Sequence, residues 1–268
     1  MSLTPEQVSD SASRLLEAES TRQQIRLLSR EYPSLDMDDA YQIQAELMAQ
    51  KLAAGRHILG WKIGLTSRAM QMALNITTPD SGILFDDMLF PNKGAVPEGR
   101  FIQPRIEAEI AFVMKEAIAG ENVTREDVIA ATDYVAPSIE ILDTRILRVD
   151  PETGQTRSVF DTISDNAANA GIVLGDEKHA VDAHDLRWVG AIVSANGSVE
   201  ETGLGAGVLN DPVESVVWLA RRMAQYGQKI EPGQIILSGS FIRPLECPSG
   251  TQIRADFGSF GRVAIDFN

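Results

Sequence analysis

Little in this sequence can cross-link the chain, bind a soft metal or enter a membrane. There is one cysteine, Cys247, so no disulfide can form within the chain. The three histidines, His57, His179 and His184, fall at spacings that match no ligand motif, and they are read as structural. Basic residues are outnumbered, 24 Lys and Arg against 38 Asp and Glu, for a formal charge of -14. A general nucleic-acid binder needs basic patches to displace counterions, and that class is set aside. No run of roughly 18 apolar residues occurs, so no membrane span is predicted. The opening stretch "MSLTPEQVSDSASRLLEAES" lacks a basic segment followed by an apolar one, so it is not read as a signal peptide. These absences lead to the expectation of a reduced, cytoplasmic setting with no nucleic-acid or membrane partner.

What is present suits a substantial core: 268 residues, 44% hydrophobic and 23% charged. Thr4, Pro5 and Gln7 form a helix-start signature, and a second helix is predicted around 20–30, before Tyr32-Pro33. "DMDDAYQIQAELMAQKLAAG" is the clearest helix, capped by Asp36 and ended by Gly55. "ILGWKIGLTS" reads as a strand running into a turn, with Ser67 capping a short helix over "RAMQMALN". "TREDVIAATDYV" reads as a helix and "APSIEILDTRI" as a strand. Residues 147–170 read as a long polar loop. Later strands are "AGIVLG", "RWVGAIVSANG", "QIILSGSFI" and "GSFGRVAIDF", with Asn196-Gly197 a hairpin turn, and "DPVESVVWLARRMAQYG" is one more helix. Helices lead and strands dominate afterwards, which predicts an α+β fold. A mostly helical part over 1–78 is expected to precede a catalytic, β-rich domain over 79–268.

The chemistry centres on "FIQPRIEAEIAF", 101–112. Ile106, Ala108, Ile110 and Phe112 alternate with Arg105, Glu107 and Glu109, the period of a strand with one apolar face. Glu107 and Glu109 then share the other face, roughly 7 Å apart between Cα atoms. Glu140 lies in the apolar run "YVAPSIEIL", where an unpaired carboxylate is costly to bury. Three carboxylates are the hard ligands that Mg²⁺ or Mn²⁺ prefers; a solvated face with an ion pair to Arg105 accounts for the same pattern. Lys62 in "GWKIGLTS" can face a pocket as an acid or base, or face solvent. Asp80 in "TTPDSG" can be a pocket carboxylate or an ordinary turn residue. "GLGAG", 203–207, lacks the Lys-Ser/Thr of a phosphate loop and reads as a flexible connection. Ser240 in "LSGSF" lacks a nucleophile elbow, and nothing local activates Cys247.

"GWKIGLTS", "TPDSGILFDDM", "PRIEAEIAF", "PSIEILDTR", "FDTISDNAANAGIVLG" and "LSGSFIRP" occur in this order. Together they resemble the hydratase/decarboxylase branch of the fumarylacetoacetate hydrolase superfamily, from about residue 20 to the C-terminus. The resemblance implies a mixed β-roll/sandwich core of the fumarylacetoacetase C-terminal-domain type. It implies Mg²⁺, with Mn²⁺ as a substitute, held by Glu107, Glu109 and Glu140, with Lys62 and Asp80 facing the same pocket and carrying the proton transfers. Trp61 departs from the smaller or more polar residue expected before that lysine. The implied reaction adds water to a 2-oxo-enoic diacid of aromatic catabolism, 2-oxo-hept-4-ene-1,7-dioate or its 2-hydroxy-diene tautomer, giving a 4-hydroxy-2-oxo diacid. Decarboxylation of a 4-oxalocrotonate-type acid, or hydration of 2-hydroxypentadienoate, is the alternative. Arg105, Ser164, Asn166 and Ser240 are the expected substrate contacts, and Arg145, Arg148 or Arg157 is expected to meet the far carboxylate. The expected assembly is a homo-oligomer, with a decarboxylase of the same pathway as a further partner.

Overall fold

The first helix begins where the capping residues put it. Thr4 Oγ1 accepts from the Gln7 amide, and the Gln7 side chain accepts from the Thr4 amide. The structure, a computed structural model, describes residues 2–73 and 76–268. In chain order its elements are α1 (Pro5–Thr21), α2 (Leu28–Glu31), α3 (Met37–Ala53), β1 (Ile58–Gly64), α4 (Arg68–Ala73), β2 (Asp80–Phe85), β3 (Leu89–Phe90), β4 (Gly94–Val96), β5 (Arg105–Met114), α5 (Arg125–Ala131), β6 (Thr132–Leu142), α6 (Val159–Ser164), β7 (Asn169–Leu174), β8 (Gly190–Ala195), β9 (Ser198–Leu204), α7 (Pro212–Gln225), β10 (Ile235–Leu237), β11 (Leu245–Glu246), β12 (Gln252–Asp256) and β13 (Arg262–Phe267). The fold is α+β, as the element order predicts. Leu74 and Asn75, the end of the helix expected over "RAMQMALN", lie outside the described residues. No helix among the described residues is long and apolar enough to cross a membrane.

Two sheets carry the molecule. An eight-stranded sheet runs β2-β1-β10-β5-β6-β7-β3, with β11 extending along β5, and a five-stranded sheet runs β4-β13-β12-β8-β9. Apolar side chains of both sheets share one core: Phe112 and Ile139 from the larger, Ile253, Val263 and Ile265 from the smaller, and Val213, Val216 and Ala220 from α7. Strand β1 lies between β2 and β10, so the chain before residue 78 contributes a strand to the main sheet as well as helices.

A second cluster joins the N-terminal helices to the rest. Val8, Ala12 and Leu15 of α1 meet Ile43 and Leu47 of α3, and Ile146 of the segment after β6 completes the group. The expected second helix around 20–30 shrinks to the four residues of α2. Its first half is instead bridged to the segment after β6. Ile25 N donates to Arg145 O (2.8 Å) and Leu147 N to Ile25 O (2.9 Å), and tertiary pairing outweighs helix propensity.

Two further expectations are corrected. Residues 147–170 are ordered rather than a loop throughout. Val149 and Thr156 form a bridge, and Ser158 with Asp161 caps α6 reciprocally. The "GLGAG" stretch is not a flexible connection either. It completes β9 and turns tightly, and a Cβ at Gly203 would lie 1.8 Å from Phe241 O, so glycine there permits close backbone approach. Asn196-Gly197 turns between β8 and β9 with both φ positive, at 52° and 85°, as the hairpin signal predicts.

Candidate metal centre and catalytic cleft

Strands β5 and β6 are antiparallel with Glu107 directly opposite Glu140. Glu109, two residues along β5, shares the face of Glu107. One oxygen from each of the three carboxylates lies within 4.8 Å of the others. Glu109 and Glu140 are fully buried. Glu109 Oε2 accepts from the Gly239 amide (2.7 Å) and Glu140 Oε1 from Asn169 Nδ2 (2.7 Å). Glu109 Oε1 and Glu140 Oε2 are buried with no hydrogen-bond partner. Such an orphaned acceptor costs about 1–3 kcal/mol, more when charged. The donor set, all carboxylate oxygen, and these two unsatisfied atoms fit a hard divalent cation.

The electrostatics agree. Burial, then the charge of Glu140, pushes the Glu107 carboxyl up to about 8. The same two causes, with Glu107 added, hold Glu109 well above the usual carboxylate range. Lys62, projecting from β1, places Nζ 3.5 Å from Glu140 Oε1 and is 3% exposed. Desolvation opposes its charge, but Glu140, Asp80, Glu107 and Glu109 together outweigh it and raise its pKa. Asp80 opens β2, paired with Gly64 of β1. Its carboxyl is raised by burial against the lowering effect of Lys62, and its Oδ1 has no hydrogen-bond partner. A Cβ on Gly64 would lie 2.2 Å from Asp80 Oδ1 and 2.9 Å from Lys62 Nζ, so the bare glycine lets both groups converge.

Lys62, Asp80 and Glu107 open into a cleft of about 600 Å³, also lined by Arg105, Arg157, Ala167, Ala168 and Ser240. Trp61 points elsewhere. It lines a separate cavity with Tyr41 and Tyr226, and its Nε1 donates to Gln234 Oε1 (3.1 Å). The departure at that position therefore lies outside the cleft, because successive strand residues face opposite sides.

The expected substrate contacts divide. Arg105 and Ser240 line the cleft, Arg105 paired with Glu246 and Ser240 Oγ donating to Ile242 O (2.8 Å). Ser164 is buried outside the lining, its Oγ without a partner. Asn166 lies off the lining: its amide donates to Ile83 O (2.9 Å) and accepts from Ile83 N (2.8 Å), so it braces β2. Arg145 is buried against Asp165, and Arg148 donates to Glu246 and Gln103 O. Two residues that sequence reasoning missed are Asn169 and Gly239, which orient Glu140 and Glu109. The polar residue that opens "NAGIVL" is the only trace of the first, and nothing local marks the second. His179 stacks on Phe260 at 4.6 Å, and His57 is exposed beside Asp86. Burial pushes the Cys247 thiol up to about 12, which leaves it inert.

Metal binding is expected to depend on pH. Between the ordinary carboxylate value and about 8, the folded metal-free chain holds protons that the unfolded chain has released. Its stability therefore falls as pH rises through that window. A divalent ion replaces those protons. At roughly 100 times its Kd the ion adds about 2.7 kcal/mol, or ~5–10 °C in Tm for a chain of this size. Calorimetry of metal-stripped protein should show a larger gain from Mg²⁺ at pH 8 than at pH 5.5. Equal gains at both, or none at pH 8, would contradict the site.

No protein-family model matches the chain. It is 49% identical over 256 residues to 2-oxo-hept-4-ene-1,7-dioate hydratase of Escherichia coli, covering 96% of each. It is 35% identical to 4-oxalocrotonate decarboxylase of Pseudomonas putida, covering 99% of this chain and 98% of the relative. A solved structure of 4-oxalocrotonate decarboxylase from Pseudomonas putida G7, complexed with magnesium and adipate, superposes with a TM-score of 0.93 at 33% identity, covering 100% and 99% of the two chains. Fumarylpyruvate hydrolase from Pseudomonas aeruginosa shares the fold at a TM-score of 0.56 and 11% identity, covering 77% and 88%.

Proposed function

The chain belongs to the hydratase/decarboxylase branch of the fumarylacetoacetate hydrolase superfamily, and from that premise we propose that it is a Mg²⁺-dependent hydro-lyase acting on 2-oxo-hept-4-ene-1,7-dioate. The product is 4-hydroxy-2-oxoheptane-1,7-dioate. The carrying observation is the step in identity, 49% to the hydratase against 35% to the decarboxylase, on a site whose donor set fits both. Magnesium is supported by three carboxylate ligands and by the metal in the related decarboxylase structure.

Glu107, Glu109 and Glu140 would hold the ion, with the Gly239 amide and Asn169 fixing two of them. When bound, the ion supplies Lewis-acid stabilisation of charge on the oxygen of the 2-oxo group. Lys62 and Asp80 carry the protons that move the double bond into conjugation and complete addition of water at C4. Burial raises the Asp80 carboxyl and so favours its protonated form, while the surrounding carboxylates favour the protonated, charged form of Lys62 beside the 2-oxo group. Burial of both groups at 2–3% exposure excludes bulk water from the proton-transfer path.

The same reading extends to a cytoplasmic homo-oligomer, with a decarboxylase of the same pathway as a further partner. Exposed Trp188, Ile192, Val199 and Leu204 around the β8–β9 edge support contact with a second copy. Decarboxylation of a 4-oxalocrotonate-type acid is the second reading, supported by the 0.93 superposition. Proton NMR of the product formed from the seven-carbon dienoate in deuterated water separates them. The 4-hydroxy-2-oxo diacid is the expected product, and no hydration of this substrate, with CO₂ released from 4-oxalocrotonate instead, would replace this proposal with the second.

A further inference from the structure

Arg105, Arg157 and Arg243 line the cleft, and the charges of Arg145 and Arg148 reach Arg157. Arg145 is paired with Asp165, and Arg105 and Arg148 share Glu246. Arg157 differs. It lines the cleft, donates from Nη1 to Thr144 Oγ1 (2.7 Å), and among the described residues has no carboxylate within ion-pairing distance. A mostly buried guanidinium with no carboxylate in direct contact is favourably placed to receive an anion. Burial and the like charges of Arg148, Arg105 and Arg145 push its pKa below the ordinary value, with Asp165 opposing them. Its charge also reaches Asp80, whose carboxyl it helps to lower. The cleft is thus anionic at the glutamate cluster and cationic where Arg157 enters.

The chain holds this arginine firmly. Arg157 N donates to Arg148 O (3.0 Å), closing the hairpin bridged by Val149 and Thr156. Asp150 at the hairpin's turn accepts from the Glu152 and Thr153 amides and pairs with Arg30 (2.6 Å). The next residue, Ser158, caps α6. The N-terminal helices therefore anchor the hairpin that presents Arg157.

Resting on the hydratase reading above, we propose that Arg157 binds the distal carboxylate of the diacid and sets the preference for diacids over monoacids. The 2-oxo carboxylate end lies toward Glu107, Glu109 and Glu140, and the fork-shaped guanidinium takes the far end with the two-pronged geometry a carboxylate suits. Glu201 and Arg243, also on the lining, are paired with each other and offer no free charge.

The test is calorimetric binding, with Mg²⁺ present, of two saturated acids that do not turn over: 2-oxoheptanedioate and 2-oxoheptanoate. Arg157→Met should weaken the diacid at least about tenfold, the span of a charged hydrogen bond, and the monoacid less than threefold. Arg157→Lys should restore part of the difference. Equal weakening of both acids, unchanged diacid binding, or no diacid preference in the wild type would overturn the assignment. Binding needs no turnover, so this outcome is separate from the NMR result on which the hydratase reading stands or falls.

Discussion

Replacing Glu140 by Gln is expected to abolish stoichiometric divalent-ion binding and to lower turnover at least about a thousandfold, while the fold survives. The Glu140 carboxylate is fully buried, faces Glu107 across the β5–β6 ladder, accepts from Asn169 and lies 3.5 Å from Lys62. An amide keeps the shape but removes the charge at the centre of the cluster. Its NH₂ either turns toward Lys62 or toward the ion, and both contacts repel. A Lewis-acid ion supplies several kcal/mol of transition-state stabilisation, and about 4 kcal/mol is a thousandfold in rate. The metal-free chain should not suffer. Removing one of three crowded carboxylates relieves the repulsion that raises Glu107 and Glu109, so the variant's Tm in EDTA should equal or exceed wild type at pH 8. Elemental analysis showing a full equivalent of metal in the variant would remove Glu140 from the ligand set.

Lys62→Met is expected to do the reverse to the metal. Turnover should fall about 10²–10⁴-fold, the usual contribution of a positioned proton-transfer group, while the ion binds at least as tightly as in wild type. The reason is Coulombic. Lys62 is the cation nearest Glu140, and four carboxylates raise its pKa, so removing it leaves more negative charge for the ion to neutralise. A lysine that merely braced the fold would lose metal affinity and stability together when deleted. Titration calorimetry beside steady-state kinetics distinguishes the two. A weaker ion with unchanged turnover would place Lys62 outside the proton path.

The metal cluster was half legible in the residues. The period of two in Arg105–Phe112 put Glu107 and Glu109 on one face, and the apolar run around Glu140 made its carboxylate costly without a partner. The register that sets Glu140 opposite Glu107 was not legible, because strand pairing is a non-local choice. The supports were less visible still. Gly239 reaches Glu109 from 130 residues away, and Asn169 meets Glu140 only because β7 lies beside β6. Asn166 is a different case. The family resemblance implied a substrate contact there, but Asn166, Ala167 and Ala168 all take positive φ, at 51°, 50° and 60°. That conformation is disfavoured for alanine, and nothing in the residue types announces it. It turns the Asn166 amide onto β2 and brings Ala167 and Ala168 to the cleft. The α+β order was legible because capping residues and alternating strands are local signals. The short α2 was not, since a bridge to the segment after β6 decided it.

The proposed chemistry requires Glu107, Glu109 and Glu140 to gather on a divalent ion that leaves positions open for a 2-oxo acid. The most direct measurement is anomalous diffraction from a crystal of the protein soaked in Mn²⁺ and pyruvate. The expected result is one Mn²⁺ peak about 2.0–2.3 Å from an oxygen of each of the three carboxylates, typical of hard divalent ions, with pyruvate's carboxylate and keto oxygens completing the shell. A Mn²⁺ peak elsewhere in the molecule, with these three side chains still bonded only to Asn169, Gly239 and Lys62, would contradict it.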